Sequence, residues 1–370
     1  MKYIRMPIEI ESPESIGYDM IACNLAESSV RDIVFREMGI SLDELVIAYG
    51  DHIGKPALRE LIATSYENIG VQDMLLTVGA AGALFIIQSS LLTDKDHMLV
   101  VRPNYATNIE TPRAIGCDIS YIDLLFEEKF KLDLQKVAKN IRANTKLISI
   151  TIPHNPTGVS IGLEELLTLC QLAEKNNCYL LVDETYRDLS FTKPPLLAAS
   201  LSKKAISVSS VSKAYGIPGI RLGWIITQDH ALQYLFLAAK EQIHISNSVV
   251  DEEICYQYLL KKEIYFDPIK KTVNNNFNLL KAWMHQHAYL EWIEPSGGVV
   301  CFPRFKNEIK IDIEKFYRVL MDAYKTYLGP GHWFEQTKRH FRLGFGWENE
   351  ENFKNGLYNI DKTISVCGFT

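Results

Sequence analysis

Ser207-Val-Ser-Ser-Val-Ser-Lys213-Ala-Tyr-Gly-Ile-Pro-Gly-Ile-Arg221-Leu-Gly-Trp224 starts in one short apolar run, Ala205–Val208, and ends in another, Gly223–Ile226. Between them lies a loop of hydroxyls, glycine and proline. Short runs that are apolar on both faces suit strands covered by helices on both sides. Five more lie upstream: Met74–Val78, Met98–Val101, Ile119–Ile122, Leu147–Thr151 and Tyr179–Val182. Helical spacing separates several of them. In Leu163–Asn176, for example, leucines recur at 163, 166, 167, 169 and 172. Strand–helix–strand order predicts an α/β fold, with a large domain built on a mostly parallel seven-stranded sheet covered by helices. The sheet is expected within 45–245. A long helical run over 250–287 follows, so the large domain with its trailing interdomain helix takes 45–285. After Pro295 the pattern changes: Gly297–Phe302 reads as a strand, Asp312–Tyr324 as a helix and Phe341–Phe345 as a strand. This predicts a smaller α+β domain over 286–370. The segment 1–44 is too polar to pack alone and is expected to lean on that domain.

Composition narrows the class. A chain of 370 residues suits about two domains. Its charge sum, 39 − 45 = −6, carries no basic block, which argues against nucleic-acid binding. No apolar run reaches the roughly 18 residues that suggest a membrane span. The opening MKYIRMPIEIESPES lacks the apolar centre of a secretory leader. The seven cysteines are scattered with no C-x-x-C pair, and the nine histidines show no ligand spacing. Neither disulfides nor a metal site is expected, and the location expected is cytoplasmic. His285 and His287, at a helix end, read as exposed or as compensating the helix dipole.

Three segments carry chemistry. Lys213 sits among hydroxyls just after a β run, and a lysine amine so placed can form a Schiff base with an aldehyde. Ser210, Ser212 and Arg221 are then placed to hold a phosphate, the arginine through two hydrogen bonds. Taken alone, Lys213 reads equally as a surface lysine in a polar loop. Pro153-His154-Asn155-Pro156-Thr157-Gly158 follows the strand Leu147–Thr151 and makes a tight turn at its carboxyl end, where ligands bind in open α/β sheets. Asp183 ends the strand Tyr179–Val182. A half-buried carboxylate there needs a cationic partner or a strong donor, or else it caps a helix.

Asn155, Asp183, Tyr186, Ser210, Lys213 and Arg221, in this order and spacing, resemble the fold-type I pyridoxal-phosphate enzymes of the class I/II aminotransferase branch. The likeness runs from about residue 24 to 346. It implies that Lys213 forms the internal Schiff base with pyridoxal 5'-phosphate and then moves a proton between the substrate Cα and the cofactor. Asp183 would keep the pyridine nitrogen protonated, which makes the ring an electron sink. Tyr186 and Asn155 would bond the ring's phenolic oxygen. In Thr77-Val-Gly-Ala80-Ala81-Gly-Ala-Leu84, Ala80 and Ala81 would bind the phosphate through the backbone at a helix start. Ala81 lacks the hydroxyl that some relatives carry there. Tyr105 matches the aromatic that stacks on the ring. Tyr49, in Ala48-Tyr49-Gly50-Asp51, matches a tyrosine that reaches the partner's phosphate, which implies a homodimer with composite active sites. Arg342, in His340-Phe-Arg-Leu-Gly-Phe-Gly346, matches the arginine that clamps the substrate α-carboxylate. The Gly329–Phe334 loop matches the region near the substrate mouth.

The reaction that the resemblance favours is transamination between an α-amino acid and an α-keto acid. A lyase or decarboxylase of the same fold stays open, as does a cofactor-binding protein without catalysis. Gln242-Ile-His-Ile-Ser-Asn-Ser248 lacks the arginine that dicarboxylate-specific relatives place there, which argues against aspartate as the preferred substrate. Glu27, in Asn24–Ser29, is expected to cover the site and to repel acidic side chains or attract a basic one.

Overall fold

The strongest pattern in the chain, apolar runs separated by helical ones, becomes one sheet. A computed structural model describes residues 1–368. Seven strands, β1 (Met74–Val78), β2 (His97–Arg102), β3 (Asp118–Asp123), β4 (Thr145–Thr151), β5 (Tyr179–Asp183), β6 (Ala205–Ser210) and β7 (Leu222–Ile226), lie in the order β1-β7-β6-β5-β4-β2-β3. All seven fall within two residues of the expected positions. β7 runs antiparallel to both of its neighbours, and every other pairing is parallel.

Alternation along the strands explains why the runs are apolar throughout. Met98, Val100, Leu147, Leu181, Ile206 and Val208 face a core shared with Leu84 and Ile87 of helix α1 (Gly79–Leu91). Leu99, Val101, Ile148, Ile150, Leu180 and Val182 face the opposite core. It is completed by Leu166, Leu169 and Ala173 of α2 (Leu163–Lys175). Where a strand is buried on both sides its polar positions are small hydroxyls, as at Ser149 and Ser207, both buried, rather than the charged residues of a solvated face.

The trailing helical run is two helices, α3 (Val249–Leu260) and α4 (Lys262–His285), interrupted at Lys261. Beyond it the smaller C-terminal region holds a three-stranded antiparallel sheet. Its central strand is β10 (Phe341–Gly344), flanked by β8 (Val300–Cys301) and β9 (Gly329–Pro330). Helices α5 (Ile313–Tyr324) and α6 (Glu350–Cys367) belong to this region. α5 starts at Asp312, whose carboxylate accepts the Lys315 N–H at 3.0 Å, a cap worth about 1 kcal/mol. The N-terminal segment packs on this region: Cys23–Asn24 pairs in parallel with Thr326–Tyr327, and the Gly344 N–H donates to the Leu25 carbonyl at 2.7 Å.

Two expectations need correction. Gly297–Phe302 is not one strand; only Val300–Cys301 pairs with β10. Gly298 takes φ +75°, and Gly297 bridges to Ser190 instead. His287 is neither free nor a dipole partner. Its side chain is 4% exposed, and its ring bonds Asp361 at 3.1 Å and the Leu290 N–H at 3.0 Å. All seven cysteines are buried and unpaired. Among the described residues no helix is long and apolar enough to cross a membrane.

Candidate functional site

The carboxyl ends of the parallel strands meet at one edge of the sheet, and the chain loops out there. Asp183 closes β5, Ser210 closes β6, and Val78 closes β1 just before α1. Because β7 runs the other way, its amino end reaches the same edge. Arg221, immediately before β7, therefore joins residues that follow their strands. A cavity of about 380 Å³ opens at this edge, with β10 bringing Arg342 from the smaller region. Twelve of the thirteen residues singled out in the sequence line it: Glu27, Ala80, Ala81, Tyr105, Asn155, Asp183, Tyr186, Ser210, Ser212, Lys213, Arg221 and Arg342. The thirteenth, Tyr49, lies outside the cavity and is 84% exposed.

One side of the cavity is a cradle for an anion. Gly79 takes φ +66°, and a Cβ there would sit 2.7 Å from Arg221 Nη2. Gly223 on β7 lies against the same turn, so the backbone of Gly79 and Ala80 approaches the strand more closely than any side chain permits. The free N–H groups of the first turn of α1 face the site with the favourable end of the helix dipole. Arg221, itself in the left-handed region at φ +48°, directs Nη1 to the Ser212 hydroxyl at 3.5 Å and to the Pro218 carbonyl at 2.9 Å. The Ser212 N–H donates to Ser210 Oγ at 3.3 Å. Two hydroxyls, a guanidinium and a helix start thus converge.

Deeper in, Asp183 is buried and accepts from Thr185 through its N–H at 3.1 Å and its hydroxyl at 2.6 Å, both on Oδ1. Burial raises its pKa, while the Thr185 donors and Asn108 oppose that shift. No cation of the protein pairs with it among the described residues. Tyr105 is fixed through its N–H to the Asn104 side chain at 2.8 Å. The same Asn104 oxygen also accepts from Thr151 and Asn108. Lys213, half-buried, donates no side-chain hydrogen bond to a described residue, and its carbonyl accepts the Val30 N–H at 3.0 Å.

The turn that carries Asn155 is held by His154, whose Nδ1 lies 2.8 Å from Thr157 Oγ1. Burial lowers the His154 pKa to about 4, so the ring stays neutral. Arg342 is 5% exposed. Its Nη2 donates to the Ala26 carbonyl at 2.7 Å and its Nη1 to Asn155 Oδ1 at 3.3 Å, while Nε has no partner. A guanidinium desolvated this far, with an idle N–H, suits a carboxylate brought from outside. Tyr186 has a partner not expected from its sequence position: its hydroxyl donates to the Ser28 carbonyl at 2.7 Å. Burial raises the pKa of that hydroxyl.

Sequence reasoning missed Glu14, Tyr18, Asp32 and Thr185, which also line the cavity. Thr185 stands two residues after Asp183 and was within reach of a turn argument. The other three sit in short irregular elements with no pattern to single them out.

Comparison with known proteins follows the same lines. The 26–357 stretch matches the family model described as aminotransferase class I and II. The HTH-type transcriptional regulator NorG of Staphylococcus aureus is 26% identical over 337 residues, covering 86% of this chain and 73% of that protein. Capreomycidine synthase of Streptomyces vinaceus is 24% identical over 360 residues, covering 94% and 91%. A crystal structure of a PLP-dependent aminotransferase from Streptococcus suis superposes with a TM-score of 0.92 at 25% identity, each chain covered in full. With a matched stretch of this length and a sheet of this order, the chain belongs to the aminotransferase class I and II family and has the fold-type I architecture of its pyridoxal-phosphate-dependent members.

Proposed function

We propose that the protein binds pyridoxal 5'-phosphate at this cavity and works as an aminotransferase between an α-amino acid and an α-keto acid. The observation that carries the reading is Asp183: a buried carboxylate without a cation, in the same cavity as an unengaged lysine and an arginine with an idle N–H. The residues present fit the group. Ser210, Ser212, Arg221 and the backbone of Ala80 and Ala81 would hold its phosphate. Asp183 would hold its ring nitrogen, Tyr105 its face, and Asn155 and Tyr186 its phenolic oxygen. Lys213 would hold its aldehyde carbon covalently. When bound, the cofactor supplies a sink for the electron pair left when a bond to the substrate Cα breaks.

The chain does the rest. Asp183 keeps a proton on the ring nitrogen, because the ion pair so formed offsets the burial of its own charge. Lys213 Nζ, once freed, would take the proton from the substrate Cα and deliver it across the intervening nitrogen to the carbon that was the cofactor's aldehyde. Arg342 clamps the α-carboxylate and so fixes which Cα bond stands to be broken. Asn155, bonded to Arg342, ties that clamp to the sheet. Arg342 comes from β10 while Lys213 and Asp183 come from the large sheet, so substrate binding draws the two regions together over the site.

The active unit in this reading is a two-fold dimer. Val46, Ile47 and Tyr49 present an exposed apolar stretch, and Tyr49 does not enter the cavity of its own chain. Mixing Tyr49→Ala and Lys213→Ala proteins under subunit exchange tests it: hybrid dimers hold one site with both residues intact, and activity should return toward, at most, about a quarter of the wild-type level. Should the mixture stay as inactive as its components, the sites are not shared.

The chemistry is tested directly. Borohydride reduction of the reconstituted protein followed by peptide mapping should place the label on Lys213. An amino-acid panel analysed by mass should give a keto acid together with the pyridoxamine form. Carbon dioxide with an amine, or ammonia with a keto acid and no pyridoxamine form, means a decarboxylase or lyase instead.

A further inference from the structure

We infer that the site selects α-amino acids whose side chain ends in a cation, a guanidinium or an ammonium group. The inference rests on the proposed amino-acid chemistry and on the cavity's surplus of carboxylates. Glu9, Glu14, Glu27 and Asp32 line it along with Asp183, against only Lys213, Arg221 and Arg342. In the proposed function Lys213 and Arg221 are engaged by the cofactor, and Arg342 by the substrate α-carboxylate. No salt bridge engages Glu9, Glu14, Glu27 or Asp32 among the described residues. Glu9 accepts its own helix-start N–H at Met6, and Glu27 has only the Ser29 hydroxyl at 3.4 Å.

Glu14, Glu27 and Asp32 form one cluster, Glu27 half-buried and the other two exposed to solvent at the cavity. Glu14, Glu27 and Asp32 each act on Tyr18, and Glu27 and Glu14 act on Asp32 as well. Asp32 is raised first by burial and then by Glu27. Glu27 and Glu14 also lie within electrostatic reach of Arg342. The cavity therefore has one buried arginine with an unpaired Nε and, within reach of it, carboxylates that repel one another. Tyr18, stacked on Trp347 at 5.9 Å with the rings 12° apart, sets a flat aromatic surface beside them. A zwitterion carrying a second positive charge satisfies both features at once: its carboxylate meets Arg342, and its distal cation relieves the acidic wall. A dicarboxylate would face that wall with like charge, and a neutral side chain would leave it unrelieved.

The test uses the holoenzyme. Equilibrium dissociation constants are read from the change in its visible absorbance on adding L-arginine, L-citrulline, L-lysine, L-norleucine and L-glutamate. Arginine and citrulline differ in charge at nearly constant shape, and lysine and norleucine make the same comparison for an ammonium group. At least one cationic member should bind about tenfold or more tighter than its neutral counterpart, with glutamate weakest. The pair that shows the ratio identifies the cation. In Glu27→Gln/Asp32→Asn that ratio should fall to below about threefold, and Glu14→Gln alone should lower it part of the way. Equal affinity for charged and neutral counterparts in the wild type overturns the inference and leaves the proposed function standing. So does a ratio that survives both variants. If no amino acid of any charge alters the spectrum of unreduced holoenzyme, while borohydride mapping of a separate sample places the cofactor on Lys213, the amino-acid reading fails and this inference falls with it.

Discussion

Gly223→Ala is the sharpest probe of how the anion cradle is built. Gly223 lies in β7 between Thr77 of β1 and Ser210 of β6. A Cβ at this position would stand 2.5 Å from the Gly79 carbonyl carbon, 2.7 Å from Ala80 N and 2.8 Å from Ser209 O. All three are backbone atoms, so no rotamer change relieves the clash. Reaching even 3.0 Å from the Gly79 carbon requires the start of α1 to move by about 0.5 Å. Overpacking of this kind costs about 1–3 kcal/mol of stability. At the usual unfolding entropy per residue, that lowers Tm by roughly 1–4 °C in a chain of this length. Phosphate binding suffers separately. Losing one charge-assisted hydrogen bond from the Ala80 N–H costs about 1.5–3 kcal/mol, a roughly 10- to 100-fold rise in cofactor Kd. Gly219→Ala is the matched control, since nothing lies within 4 Å of its Cβ. Cofactor titration of the apoprotein by fluorescence, together with thermal melts, reads both effects. If Gly223→Ala binds pyridoxal phosphate like the wild type, or if Gly219→Ala is equally impaired, close backbone approach does not shape the cradle.

Two further outcomes follow from buried charge. Asp183→Asn should act in opposite directions on the two states. The folded-state pKa of Asp183 is raised by burial, so its charge opposes folding above that pKa. Removing it should stabilise the apoprotein at neutral pH while weakening cofactor binding; a loss in both would show that the hydrogen bonds from Thr185 and Asn108 outweigh the burial of the charge. Lys240→Met tests a second site. Lys240 is fully buried, its Nζ donates to the His52 carbonyl at 2.6 Å, and burial lowers its pKa to about 8 from 10.5. The unfolded chain therefore holds more protons between those values, and wild-type stability should rise with pH across that window relative to the variant. In denaturant titrations the wild-type-minus-variant difference should change by about 2 kcal/mol between pH 7 and 9.5, and a constant difference would refute the shift.

How much of this was legible in the sequence depends on what each residue buries. The strands inside the sheet were readable because they are covered on both faces, as at Leu180-Leu181-Val182, where neighbours enter opposite cores, while the edge strand Asp118–Asp123 is only partly covered. Gly297–Phe302 misled because all its apolar residues are buried in the cores while only Val300–Cys301 pairs with β10, and burial beyond the paired residues looks like a longer strand. The trailing helices read as one because Lys261 breaks them without glycine or proline. The segment 1–44 reads as a polar stretch that leans on the smaller domain with Glu27 over the site, but nothing in its pattern sets Glu14 and Asp32 in the same cavity.

The twelve cavity residues were legible mainly through the family resemblance, and for Asp183, Ser210 and Arg221 the topology supplies the physical reason. Asp183 and Ser210 end parallel strands, whereas Arg221 precedes an antiparallel one, and a rule that looks only after strands would miss the arginine. The single reversal at β7 folds the loop from Ser210 to Arg221 back on itself at the sheet edge. Its hydroxyls and its guanidinium then meet although eleven positions separate the first from the last. That spacing is set by the number of residues needed to leave β6, carry Lys213 past the edge and return as β7. Lengthening the loop would leave both strands paired and would separate the arginine from Ser212, so the motif's length is a property of the reversal as much as of the ligand. The residues that shape this turn also carry its hydroxyls and guanidinium, which is why they were legible in the sequence, whereas Glu14 and Asp32, which join Glu27 in the acidic wall, follow no such pattern.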